Sequence, residues 1–339
     1  MTIEISRFDP IRESDVAVRD WFDLAAAIAV EQRPEFPAPE FDSYVEQLRL
    51  PVTAFGPQSF WAARDSGELV GAMRAIYLGQ ENSNSAFVTV NVRSDRRREG
   101  IGTQLLAGSL TDLREQRRSL VVGQNIVLDG PADRWATKLG FAKVQQRAEQ
   151  HLRVKEVDPE LWQTPAPSGF RMRRWIDSAP EELLEGFATL RNSIADAPKG
   201  DSSYQPPEWT PARVRQEEAE VRAAGRVHRF VAAVHEHTGT LAGFTELAYT
   251  LGYPSVCFQQ DTAVLRDFRG LGLGRAIKAE MMRWLIAEQA SVETVMTNTG
   301  ADNVHMIRVN HQLGYVTVRI TAFVEAETEL LSARTQLRG

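Results

Sequence analysis

The chain has 339 residues, 43% of them hydrophobic and 25% charged, the profile of a folded globular protein with length for two domains. Its net charge of −6 argues against a general nucleic-acid binder. The longest apolar run, Leu24–Val30, is far short of the roughly 20 residues that span a bilayer, and the one cysteine, Cys257, excludes an internal disulfide or a cysteine-based zinc cluster.

The opening MTIEISRFDPIRESD has neither the basic region nor the apolar stretch of a secretory signal, so a reducing cytoplasm is the expected compartment. Ser14–Glu31 reads as a helix. Two strands follow, joined at the turn Asp65-Ser66-Gly67, a hairpin signal. A third strand, Ala86–Val92, runs into a glycine-rich loop. The next helix, Gly102–Gln116, carries Leu105, Leu106, Leu110 and Leu113 at helical spacing. The strand Ser119–Val122, a short helix and the strand Ala142–Gln146 end this stretch. Lys155–Gly169 is rich in proline and turn formers and reads as a connection. The expected division is a first domain at 1–154, a linker at 155–168 and a second domain at 169–339.

The second stretch repeats the first. It holds the strand Phe170–Trp175, a helical region at Pro180–Ile194, a hairpin turn at His237-Thr238-Gly239 and a strand at Cys257–Leu265. The helix Gly274–Ala290, with Ile277, Met281, Leu285 and Ile286, the strand Thr294–Thr297, a short helix and the strand Val316–Phe323 complete it. Residue by residue, Gly67 matches Gly239, Leu69 matches Leu241, Gly71 matches Gly243, Val92 matches Val264, Arg97 matches Arg269, Gly100 matches Gly272 and Gly102 matches Gly274. Each pair is offset by 172 (269 − 97). Further on, Leu139-Gly140-Phe141 echoes Leu313-Gly314-Tyr315 at an offset of 174 (313 − 139). A period this long means two copies of one domain rather than a solenoid.

Each copy places R-x-x-G-x-G between a strand and a helix: Arg97 to Gly102, and Arg269 to Gly274. A helix start leaves backbone N–H groups unpaired and carries partial positive charge. Glycines let the backbone approach an anion closely. Such a junction suits a pyrophosphate, with Arg98 and Arg275 alongside. The pattern lacks the third glycine of a dinucleotide fingerprint and the Gly-Lys-Ser/Thr of a P-loop. No metal cluster is readable.

The motif after a strand and opening a long helix resembles the acyl-CoA-binding motif of the GNAT superfamily of N-acetyltransferases. The stretch Asn303–Tyr315, and its degenerate echo Ala132–Phe141, are similar to that family's second motif. The resemblance covers nearly the whole chain as two tandem units, of the actinobacterial two-domain type to which mycothiol synthase-like enzymes belong. It implies an α+β fold, each domain a mixed, mostly antiparallel sheet with flanking helices. It implies acetyl-CoA as the acyl donor and the amine of a small molecule as acceptor, joined by direct transfer in a ternary complex. The pantetheine arm is then expected at Thr262, Val264 and Leu265, and at Val90 and Val92. The pyrophosphate is expected at Arg269, Gly270, Leu271, Gly272, Leu273, Gly274 and Arg275, and at Arg97, Arg98, Gly100, Ile101, Gly102 and Thr103, with Asn303 also touching the cofactor.

Polar equipment is concentrated in the second copy. Glu246 is matched by Arg74, Asp261 by Thr89 and Asn303 by Ala132. Glu246 and Asp261 are the candidate proton acceptors. The family's usual tyrosine acid is replaced by Asn310 and Ala136, which leaves Tyr315 or a water to act as the acid. Cys257 reads as a small buried strand residue, and His305 as exposed. Arg191–Trp209, with Tyr204 and Trp209, reads either as a pocket wall or as a packed cover. Two alternatives stay open: a protein that binds acyl-CoA without turnover in one or both domains, and catalysis by the N-terminal copy. No nucleic acid or membrane partner is expected. The chain is read as a monomer with pseudo-dimeric domains or as a homodimer.

Overall fold

A computed structural model describes residues 3–50, 52–53, 55–250 and 253–336. The chain divides into two compact units. The first is Met1–Val144 with Ala322–Gly339; the second is Gln145–Thr321.

In chain order the first unit holds β1 (Ile3–Phe8), α1 (Asp15–Gln32), α2 (Phe41–Leu48), β2 (Val52–Thr53), β3 (Gly56–Asp65), β4 (Glu68–Tyr77), β5 (Ser85–Val92), α3 (Ile101–Glu115), β6 (Leu120–Val127) and α4 (Pro131–Leu139). Strand β7 (Ala142–Arg153) begins here and continues into the second unit. That unit holds β8 (Phe170–Ile176), α5 (Leu184–Asn192), α6 (Pro211–Ala223), β9 (Arg226–His235), β10 (Leu241–Thr250), β11 (Tyr253–Val264), α7 (Leu273–Glu288), β12 (Thr294–Gly300) and α8 (Val304–Gln312). Strand β13 (Val316–Glu327) leads back to the first unit, where α9 (Thr328–Gln336) ends it.

Both units are α+β, with one mixed sheet and helices on its two faces. In the first, α1 is capped by the Ser14 hydroxyl, which accepts from the Ala17 amide. It buries Val18, Trp21, Leu24 and Ile28 against Phe8, Phe60 and Ala72. The opposite face takes α3 through Leu105, Leu106, Leu110 and Leu113. Each such leucine contributes roughly 1.5–3 kcal/mol by leaving water. In the second unit, α5 and α6 bring Phe187, Leu190 and Val214 onto Phe230, Ala232 and Phe244. Helix α7 sets Ile277, Met281 and Leu285 against Val231, Leu247 and Cys257 on the other face.

The sheet order is β1-β3-β4-β5-β6 in the first unit, with the end of β13 beside β6. In the second unit it is β13-β7-β12-β11-β10-β9-β8. Strand β7 thus pairs with β12 antiparallel, from Arg147↔Gly300 to Arg153↔Thr294, while Ala322, Val324 and Ala326 of β13 join the first unit's core. Each repeat ends in a strand that serves the other repeat's unit. The division at 154 and 169 expected from the repeat therefore differs from the compact units. The expected linker is also packed. Trp162 is buried and its indole donates to the Leu313 carbonyl at 2.9 Å, while Arg283 donates to the carbonyls of Trp162 and Thr164.

In each unit the parallel strand pair parts midway. Strands β5 and β6 pair only over Ser85–Phe87 and Leu120–Val122. Strands β11 and β12 pair only over Val256–Gln259 and Thr294–Thr297. Yet β5 and β11 run on to Val92 and Val264, against β4 and β10. A wedge between the parted strands opens toward the glycine-rich loop in both copies.

Candidate active site

The loop after β11 turns on two glycines in the left-handed region, Gly270 at φ 80° and Gly272 at φ 81°. A side chain at Gly272 would be strained there. Gly272 caps α7 with its backbone alone, so the first amides of the helix face outward unpaired. A Cβ on Gly274 would meet nothing nearer than Val264 Cγ2 at 3.9 Å. Beside it, Arg275 Nε is buried without a hydrogen-bond partner. An open backbone cradle next to an unpartnered cation is a fit for a diphosphate.

Arg269 is engaged within the protein. Its Nε donates to the Val264 carbonyl at 3.0 Å, and Nη2 donates to Asp196 at 2.7 Å. The side chain pins the loop and the 3-10 turn Ser193–Asp196. Arg97 repeats this, donating to Val92 O at 3.2 Å and to both oxygens of Glu31 at 2.5 Å. Both guanidiniums, expected as anion ligands, staple their loops through these bonds. Asn303 is the N-cap of α8, its Oδ1 accepting from the Met306 amide at 3.1 Å.

The polar centre of the second unit lies on the α5–α6 face of the sheet. Strand β10 pairs Thr245 with Thr262, but Leu247 with Gln259. Two residues of β11, Gln260 and Asp261, therefore oppose Glu246 alone. Such a β-bulge re-aims a side chain. The first unit has none at this place, and Arg74 pairs simply with Thr89. The bulge is braced: Thr245 and Thr262 hydroxyls lie 2.7 Å apart, and Gln259 Nε2 donates to Thr245 Oγ1 at 2.8 Å.

Glu246 is buried, and its carboxylate is already engaged. His228 Nδ1 lies 2.6 Å from Oε1 and Arg191 Nη2 lies 3.8 Å from Oε2. Burial pushes this carboxyl up, but the His228 hydrogen bond and the Arg191 guanidinium outweigh it and hold the group below the usual range. Arg191 also donates to Glu217 and stacks on Trp209, 3.4 Å from the ring centroid. Trp209 and Asn192 exchange two further hydrogen bonds, of 2.9 and 2.8 Å. Trp209 therefore belongs to a packed cover; Tyr204 is exposed.

Asp261 is half-buried and makes no hydrogen bond or ion pair with the described residues. Burial, then the negative charge of Glu246, pushes it up to about 6, against the pull of Arg191 and Arg147. A carboxylate poised near neutrality, with its oxygens uncommitted, is chemically a proton acceptor. Glu246, the other candidate, has its oxygens committed to His228 and Arg191.

Tyr315 sits in the core, 2% exposed, with its hydroxyl unpartnered. Its ring faces Lys278 Nζ at 5.3 Å, and burial pushes the phenol well above its usual range. Asn310, at the position of the family's usual tyrosine, is buried and donates to Gln150 at 2.8 Å. Burial pushes the Cys257 thiol up to about 12, which leaves no thiolate at neutral pH. His305 is exposed.

Sequence reasoning missed Arg191, Glu217, His228 and Arg147. One signal was present: Leu184, Phe187, Ala188 and Arg191 stand at i, i+3, i+4 and i+7 of one helix face. An arginine on a buried stripe needs a buried anion. The bulge left no such signal, because an offset of 172 runs past it ungapped.

The Acetyltransferase (GNAT) family profile matches the chain twice, over residues 20–141 and 193–315. Among solved structures, a tandem GNAT protein from the clavulanic acid biosynthesis pathway is 27% identical, with a TM-score of 0.78 over 96% of this chain and 99% of its own. A GCN5-related N-acetyltransferase from Sphaerobacter thermophilus shares the fold at 15% identity, with a TM-score of 0.71 over 96% of each chain. A glucosamine N-acetyltransferase region of a fungal multi-domain β-N-acetylglucosaminidase matches at 14% identity and a TM-score of 0.65, over 96% of this chain and 38% of that one. No match was found among curated protein sequences. With paired loops, paired wedges and two family matches, the chain belongs to the GNAT family of acetyltransferases, as a tandem of two copies.

Proposed function

We propose that the protein transfers an acetyl group from acetyl-CoA to the amine of a small molecule, and that the second unit performs the reaction. The observation that carries this reading is the bulge at Gln260–Asp261, which gives one copy alone an uncommitted carboxylate beside the wedge. Acetyl-CoA supplies the activated acyl group. The amides of Gly270–Gly274 and the Arg275 guanidinium would hold its diphosphate, and the free edge of β11 at Thr262–Leu265 would hold its arm. Asp261 takes the proton that the amine loses as its nitrogen bonds to the acyl carbon; the carbon–sulfur bond breaks and coenzyme A leaves as the thiolate, which then takes a proton from Asp261 or water, with no acyl-enzyme stage. Direct attack of this kind needs both substrates present together. Glu246 acts through Asp261 by its charge and is a positioning residue. Tyr315 has no proton to move in this scheme.

The test is turnover of acetyl-CoA against a panel of small amines, followed as free thiol. The expected result is turnover that Asp261→Asn lowers by about 10²–10⁴ while acetyl-CoA binding persists. Full activity in Asp261→Asn, or binding without turnover of any amine, would overturn it.

A further inference from the structure

We propose that the phosphate-binding cradle of the first unit is closed by the chain's own Trp135, so that each chain takes up one acyl-CoA and not two. The proposal rests on the reading of the second unit as the acyl-CoA site.

The two copies control for each other. Gly102 and Gly274 hold the same place at the start of α3 and α7. A Cβ on Gly274 would have open space around it apart from one methyl at 3.9 Å. A Cβ on Gly102 would meet Val90 Cγ1 at 3.5 Å, Val92 Cγ2 at 3.6 Å and Trp135 Nε1 at 3.7 Å. Three side chains, the Trp135 indole among them, stand in van der Waals reach of this glycine, where its counterpart has one methyl. Trp135 is also fastened: its Nε1 donates to Thr103 Oγ1 at 3.2 Å, in the first turn of α3. Thr103 stands where the second unit has the unpartnered Arg275 (275 − 103 = 172). Trp135 stands where the second unit has Val309 (309 − 135 = 174).

The wedge behind the cradle follows suit. In the first unit Val88 and Val90 of β5 and Ile126 of β6 pack against the core together with Trp135. Registering the strands through the bulge, the second unit has Gln259, Thr262 and Gly300 at these places. A ligand arm that hydrogen-bonds to a strand edge needs the wedge clear of such side chains. In the first unit, opening it would strip a branched aliphatic cluster and an indole of their contacts with the core.

The experiment is calorimetric titration of the full chain with acetyl-CoA, with thermal melts as the fold control. The wild type is expected to bind one equivalent. Trp135→Val, which gives the first unit the second unit's residue, is expected to raise this to two; Trp135→Leu replaces it should the valine variant not melt cooperatively. The reciprocal Val309→Trp is expected to weaken binding tenfold or more. Two equivalents in the wild type, or one equivalent in a folded Trp135 variant, overturns the proposal and leaves the second unit's function standing. No uptake by any form overturns that function, and this proposal with it.

Discussion

At the residue scale the two carboxylates of the site are separated by their partners rather than by their type. Glu246 is saturated by His228 and Arg191 and is held ionised. Asp261, with no partner, sits at about 6. A base must be deprotonated to act, so the rate should be level above about pH 7 and fall tenfold per unit below about pH 6. Asp261→Asn should abolish that limb together with most of the rate. The same substitution should stabilise the fold at pH 7–8. The folded state raises this carboxyl above its unfolded value of 3.8, so its ionised form opposes folding at neutral pH, and the opposition fades toward pH 4. Melts of wild type and Asp261→Asn across that range read the difference directly. Glu246→Gln should act in two ways. It removes a negative neighbour, so the acid limb of the surviving activity moves to lower pH. It also takes from Arg191 one of the buried carboxylates that balance its charge, leaving Glu217 and Asp261, which costs about 3–5 kcal/mol of stability, measurable by denaturant titration. A limb that stays put in Glu246→Gln would mean that Glu246 does not set the field at Asp261.

At the scale of elements, the loop and the strand pair decide what the site can hold. Gly272→Ala should raise the KM for acetyl-CoA about tenfold with little change in kcat. The left-handed conformation costs an L-residue roughly 1–2 kcal/mol, and the loop can relieve it only by turning its amides away from the anion. Steady-state kinetics at fixed acceptor measures this, and an unchanged KM would remove the loop from donor binding. These loops were legible in the sequence because glycine at a left-handed position is a chemical requirement that repeats at a fixed offset. The amphipathic α3 and α7 were legible for the same kind of reason: burial forces their period. Helices α2, α6 and α9 were not. Helix α6 buries Val214, Glu218 and Val221 on one face, and Glu218 is there to accept from the Ala179 amide at 2.8 Å, so its stripe does not look apolar. The bulge in β11 was invisible too, since an extra residue changes pairing without changing composition. The partners of Arg97 and Arg269 were hidden because Glu31 and Asp196 do not share the repeat's offset.

At the scale of the whole molecule, the repeats cannot be cut apart where the sequence repeats. Strand β12 carries the inner edge of the second unit's wedge, and its far side is paired along its whole length with β7 from the first repeat. The first unit in turn draws Ala322, Val324 and Ala326 of β13 and Leu331 of α9 into its core. A chain ending at residue 321 would lose all four of these side chains and the strand beside β6. At about 25 cal/mol per Å² of apolar surface, that loss is comparable to the roughly 5–15 kcal/mol by which a domain is stable at all. Such a chain should show two transitions on heating or in denaturant, with the first unit melting early. The second unit keeps β7, β12 and the bulge in this truncation, so it should retain acetyl-CoA binding and a measurable part of its turnover. Cutting instead after residue 154 and producing 155–339 alone removes β7 from β12. Binding should then fail with the fold, and co-production of 1–154 should restore it, because the missing strand is supplied in trans. A fully active 155–339 fragment would mean that β7 is dispensable to the wedge and that each repeat closes its own sheet.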